Sequence, residues 1–423
     1  MKKQWIHVLI VAMTLGTTWA IRGHFGHEQG ASWAGGIGAL ALILVSQRKA
    51  WHDRMLGIIL SAAVGWGAGG MMSYGIVVGY GRSLNFPNAA YGLLMLFVIG
   101  GLWGLLGGGM MGLAMNSTKE KRVNWGAISA EMVAGGLLFY TFLITKHQVL
   151  MTPPRHETWA ICLGAGLAML WYMARNHFYS PVRVAVITAL GTGFGFAFGN
   201  FLQTLGTTLE INFNMWNVME YSLGFFGGGS MAYSVLSAEW PEQSTPLEKW
   251  ENKSSFWLIF FFIPLVLFIR TLRPDKLMEN FSSFTNPSGT AWLTSVVTAL
   301  FFIGLAVYVW ITVRKSEGSF MRKEVRRVFI SWFAVYILLS YLVKGVFGGI
   351  FLLNLHLYWV NFGIIIFLLG KKYPSFFSPL AQKLETKRGL TILLLALTII
   401  LFLAFISVNI HGELQGAHDR FPL

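Results

Sequence analysis

Residues 22 to 28 read Arg22-Gly23-His24-Phe25-Gly26-His27-Glu28, and four of them are ionisable. About 15 mostly apolar residues precede this string and another apolar stretch follows it. Ionisable groups at membrane depth are costly, and function is the default reason for keeping them. On a helix, His24, His27 and Glu28 fall at i, i+3 and i+4, on neighbouring faces. Histidine changes protonation near neutral pH, which suits a proton relay or a general base. Arg22 offers a planar, permanent charge that fits a carboxylate or a phosphate. The plainer alternatives are an interfacial cluster and an Arg22–Glu28 pair with no further role.

His156-Glu157 repeats the His27-Glu28 pair before a second apolar stretch. Neither copy is a metallohydrolase motif, because H-E-x-x-H would need histidine where the chain has Ala31 and Ala160. The inverted H-x-x-E-H order is also absent, so no metal, no cofactor and no catalytic residue is assigned. Glu131 and Glu220 are isolated acids near the starts of apolar stretches. Helix capping is the bland reading of each, since a helix N-terminus favours negative charge. The sharper one is a proton- or cation-coupling acid.

These side chains need membrane helices to hold them. The chain is 55% hydrophobic and 12% charged, with a mean hydropathy of +0.57. A soluble domain carries about twice that charge. The 17 tryptophans suit membrane interfaces. The net charge of +14 comes from short loops between apolar runs, which excludes nucleic acid as the expected partner. The lone Cys162 lies in an apolar run and has no disulfide partner. The start, Met1-Lys2-Lys3 and an apolar run, lacks a signal-peptide cleavage site and reads as a retained first span.

A membrane helix needs about 20 apolar residues, and about thirteen runs qualify: roughly 5–22, 29–46, 55–79, 90–115, 126–146, 158–175, 183–206, 217–237, 256–272, 290–313, 327–345, 348–370 and 388–409. The break near Lys344-Gly345 is the weakest boundary. With that count, alternate loops carry the basic load, from Lys2-Lys3 through Arg48-Lys49 and Lys119 to Lys371-Lys372. Arg82, Arg155, Arg270, Arg273 and Lys276 fall on the other side. The positive-inside rule then places the N-terminus in the cytoplasm and the C-terminus outside, in what is expected to be a bacterial cytoplasmic membrane.

Gly104-Leu-Leu-Gly107-Gly108-Gly109-Met-Met111 in the fourth run matches Gly224-Phe-Phe-Gly227-Gly228-Gly229-Ser-Met231 in the eighth. Runs one to four and five to eight therefore read as a parallel duplication of a four-helix unit. The expected divisions are 1–118, 119–240 and a five-helix C-terminal bundle, 241–423, ending in an outer tail. Three consecutive glycines allow close helix packing or a backbone-lined pathway.

The expected fold class is thus an all-α polytopic membrane protein, with the lipid bilayer and a small-molecule solute as partners. The leading functional expectation is a secondary transporter or channel for a small polar or anionic solute, using Arg22, His24, His27 and Glu28 on the outer side. The alternative is a membrane-embedded transferase acting on a lipid-linked or acyl substrate at the outer leaflet. A transporter should carry polar groups through the bundle. An enzyme should have a pocket closed at mid-membrane.

Overall fold

Long apolar segments satisfy their own backbone in lipid by becoming helices. The computed structural model is all-helical, with no strand among the described residues, which are 4–242, 249–282, 284–345, 352–371, 376–377 and 386–422. The first five helices are α1 Trp5–Arg22, α2 His27–Ser46, α3 Met55–Gly69, α4 Gly75–Tyr80 and α5 Phe86–Asn116. Then come α6 Trp125–Phe139, α7 Trp159–Arg175, α8 Tyr179–Thr208 and α9 Met215–Leu236. The later part holds α10 Trp250–Leu272, α11 Pro287–Ser316, α12 Arg322–Ser340, α13 Leu353–Leu369 and α14 Gly389–Ile410. Nine helices among the described residues are long and apolar enough to cross a membrane, as in an integral membrane protein. Three shorter apolar ones, α3, α7 and α13, accompany them.

Asparagine starts several of these helices. The side chains of Asn85, Asn124, Asn214 and Asn286 each accept the backbone N–H three residues on, at 3.0, 3.0, 3.4 and 2.9 Å. Each caps one of the helix-start amides that would otherwise lack a partner.

The centre is α1, α2, α3, α5, α8 and α9. α5 packs along α8, α8 along α9, α9 along α1, and α2 along α3. The glycine motifs explain how closely. A side chain at Gly224 would meet Leu15 O at 2.5 Å, and one at Gly228 would meet Val11 O at 2.7 Å, so α1 and α9 touch backbone to backbone. Gly104 and Gly108 similarly admit Thr188 and Thr192 of α8. Gly107 seats the ring of Trp66, Gly109 the end of Met169, and Gly227 lies against Thr192. Gly229 has ordinary room, with Ala12 Cβ at 3.6 Å.

The expected run 55–79 is interrupted. α3 stops at Gly69 and the chain turns before α4 begins at Gly75. Gly70 lies so close to the backbone of His27 and Glu28 that a Cβ would sit 2.5 Å from His27 O. A glycine-rich end without side chains to pack is a weak place for a helix to continue. At the boundary expected near Lys344-Gly345, wide-turned helix runs through Tyr341–Gly345, and the junction at 346–351 lies outside the described residues.

The loops sort to two ends. At one, Arg48 donates to Pro241 O, Lys49 to Ser319 Oγ, Arg54 to Ser117 O and Lys121 to His177 O, and Gln4 donates to Phe376 O. At the other lie residues 23–28, 70–75, 156 and 214–217. Residues 415–421 also pack there, against the α4–α5 connection. His418 N donates to Gly79 O at 3.1 Å and Arg82 donates to Gln415 O at 3.1 Å. The buried Asn88 accepts from Arg420 N and Phe421 N at 2.7 and 2.8 Å and donates to Phe421 O.

Candidate functional site

Arg22 ends α1 and is fully buried. A buried guanidinium needs a counter-charge and hydrogen-bond acceptors. Both come from helices distant in sequence. Its Nη2 lies 2.9 and 2.8 Å from the two carboxylate oxygens of Glu220 on α9. The same nitrogen donates to Tyr74 Oη at 3.0 Å, and Tyr74 in turn donates to Glu220 Oε1 at 2.9 Å. The rings of Trp19 and Trp103 lie 4.8 and 4.9 Å from the guanidinium carbon, at cation–π distance.

The second arm of Arg22 fixes a histidine. Nη1 is 3.0 Å from His27 Nδ1. Arginine can only donate, so His27 Nδ1 must accept. The ring is then neutral, with its proton on Nε2. His27 is exposed and lines the open side of the site.

That open side is a cavity of about 610 Å³. Its wall includes His24, His27, Glu28, Tyr74, His156, Asn214, Asn217 and Glu220. Glu28 keeps a side chain 42% exposed and faces Arg270 at 3.6 Å, too loose a pairing to occupy it. Glu220 is only 11% exposed and is engaged by Arg22 and Tyr74. Beneath the pair stand buried aromatic rings: Trp19 packs edge-on against Trp66 at 5.0 Å and Trp103 at 5.4 Å, and Phe196 adjoins Trp103 and Tyr74. Trp66 is pinned between Gly35 and Gly107, and Trp103 against Gly69.

The residues expected to matter divide clearly. Arg22, His24, His27, Glu28, His156 and Glu220 meet at this cavity or directly under it. Glu157 does not line it. Its carboxylate accepts from Met151 N, Thr152 N and Trp159 Nε1 at 2.9, 2.8 and 2.6 Å, which orders the loop before α7. Glu131 is elsewhere, paired with Arg175 at 2.6 Å on the α6–α7 surface. The glycine motifs sit in helix contacts below the cavity, against side chains and backbone of neighbouring helices.

No family model, curated protein or solved structure matches the chain. Among the described residues no group of three or more His, Cys, Asp or Glu side chains is arranged to hold a metal ion.

Sequence reasoning missed Tyr74, Trp19, Trp103, Asn214 and Asn217. Tyr74 had a signal: it follows Gly69-Gly70, a glycine pair inside an apolar run that invites a break. The tryptophans had none, because an indole in an apolar run reads as packing. Asn214-x-x-Asn217 reads as a helix start, and Asn217 also donates to Ala20 O at 3.2 Å.

Proposed function

We propose that this chain is a membrane-embedded transferase that works at one membrane face on a substrate with a polar, acceptor-rich head group. The observation that carries the reading is the cavity's closed floor. Trp19, Trp66 and Trp103 lie below Arg22 on three different helices, with Trp66 and Trp103 set in glycine seats. Opening such a floor would unpack α1, α3 and α5 together, since a close-packed interior does not yield locally. Glu131, the isolated acid that could have served proton or cation coupling away from this face, is engaged by Arg175.

The chemistry follows from the donor and acceptor roles. Arg22 holds His27 as a neutral Nε2–H donor, the form that stabilises developing negative charge on an oxygen. Glu28 is the carboxylate at the rim with the least engaged oxygens, suited to take a proton from an acceptor hydroxyl. Glu220 neutralises Arg22 and keeps it in place.

In this reading the chain has thirteen spans. The nine long helices, α3, α7 and α13, and the less apolar α9 support that number. The four-helix duplication across 1–118 and 119–240, with 241–423 as an added bundle, rests on the matching glycine strings. The basic end is the cytoplasmic one, by the positive-inside rule, which puts the cavity on the outer side of a bacterial cytoplasmic membrane.

A second reading, secondary transport of a small polar or anionic solute, has one observation in its favour. The Arg22–Glu220 pair joins α1 to α9, and a buried ion pair between helices is a natural coupling element. One experiment separates the two. Purified protein in nanodiscs, which enclose no compartment, is incubated with bacterial polar lipids and acyl-coenzyme A or nucleotide-sugar donors, and products are read by mass spectrometry. Transfer is expected, and Glu28→Gln should lower it by about 100-fold or more. No product in nanodiscs, together with solute flux into sealed vesicles that Glu28→Gln or His27→Phe abolishes, would establish transport instead.

A further inference from the structure

An apolar groove of about 410 Å³ adjoins the polar cavity. Ala20 and Asn217 line both. The groove runs between α8, α9 and α13, walled by Leu202, Val218, Phe225, Phe226 and Leu357. Its polar groups belong to a network that reaches the head-group side. Tyr358 Oη donates to Asn217 Oδ1 at 2.6 Å, and Asn214 N lies 3.4 Å from Asn354 Oδ1. Both Asn214 and Asn217 also line the polar cavity.

A larger groove, about 500 Å³, lies between α10 and α11. It is lined by apolar side chains such as Phe256, Phe260 and Trp310, and shares no residue with the polar cavity. Ordinary membrane hydrocarbon suffices to fill it. The α8–α9–α13 groove differs in sharing Ala20 and Asn217 with the wall of a built polar site.

We infer that the α8–α9–α13 groove holds the hydrocarbon chain of a lipid whose phosphate-bearing head occupies the cavity of His24, His27 and His156. The inference rests on the proposed one-sided site and gives it a substrate class. Histidine and asparagine N–H groups suit phosphate oxygens. Arg22 is matched by Glu220, and Arg270 stands at the rim 3.6 Å from Glu28, a positive charge near the place an anion would take. Burial of each methylene is then expected to tighten binding roughly fourfold. An apolar chain and an acceptor-rich head on one molecule would satisfy both compartments at once.

The test uses full-length protein in nanodiscs, with empty nanodiscs subtracted. The probes are inorganic phosphate, butyl phosphate and octyl phosphate, and binding is read by calorimetry. In the wild type, octyl phosphate should bind up to about 200-fold tighter than butyl phosphate. Val218→Trp on α9 and Leu357→Trp on α13 each fill the groove, and either should bring that ratio close to one. Two variants on different helices, each checked for an unchanged melting profile, guard against misfolding. Equal binding of all three probes by the wild type would overturn the groove and leave the head-group site standing. A chain-length gain that persists in both tryptophan variants would place the chain in bulk lipid and also overturn it. If no probe binds at any chain length, the phosphate head fails too, and the proposed substrate class falls with it.

Discussion

Arg22 lies in the protein core with one carboxylate, Glu220, to offset it. Breaking a buried pair strands its partner, and that costs more than removing both charges. Glu220→Ala should therefore destabilise the protein by about 3–5 kcal/mol. The double variant Arg22→Met with Glu220→Met should recover most of that loss. Unfolding in detergent, arranged as a double-mutant cycle, measures both. Additive losses would mean that the two side chains are energetically independent, against their geometry. The residues around the pair were unequally legible in the sequence. Arg22, His27 and Glu28 announced themselves as charge where charge is expensive. Glu220 stood out as an acid, but its partner lies 198 positions away, and pairing over that distance is settled only by how α1 meets α9. Glu157 looked like the twin of Glu28. Three nearby N–H donors, set by the loop's own turns, gave it a local structural role.

At the scale of the helix, the glycine strings carry the packing of α1 on α9 and of α5 on α8. Their positions differ in a way that mutagenesis can read. Gly228→Ala would put a methyl group 2.7 Å from Val11 O and should cost about 1–3 kcal/mol. Gly229→Ala meets nothing closer than 3.6 Å and should be neutral or mildly stabilising, since alanine favours helix. Equal effects at the two sites, measured by the same unfolding assay, would contradict the described approach of α1. Helix existence was largely readable from apolar run lengths, and the run 5–22 coincides with α1. The break after Gly69 was not readable from run length, because hydropathy continues smoothly from 55 to 79; the Gly69-Gly70 pair was its one signal. That break brings Tyr74 into the wall of the cavity.

For the whole molecule, the sorting of loops to two ends makes a labelling prediction. In a background where the buried Cys162 is replaced by alanine, single cysteines at Arg155 and Glu413 should react with an impermeant maleimide on intact cells. Cysteines at Glu120 and Glu317 should react only after permeabilisation. The reverse pattern would invert the membrane orientation, and a mixed one would break the two-ended arrangement. The alternation of basic loops is what in the sequence leads to this expectation. The packing partners of the later helices were not visible, since lipid-facing apolar surfaces look alike in sequence. The hydrogen bonds between residues 415–421 and the α4–α5 connection bear on biogenesis. The groups they tie down, Gly79, Arg82 and Asn88, belong to the first quarter of the chain, yet their partners follow α14. During synthesis those early groups must wait at the membrane surface until α14 and the segment after it have left the ribosome. The rim of the α4–α5 connection therefore sets only after α14 has been made, however early its own residues are.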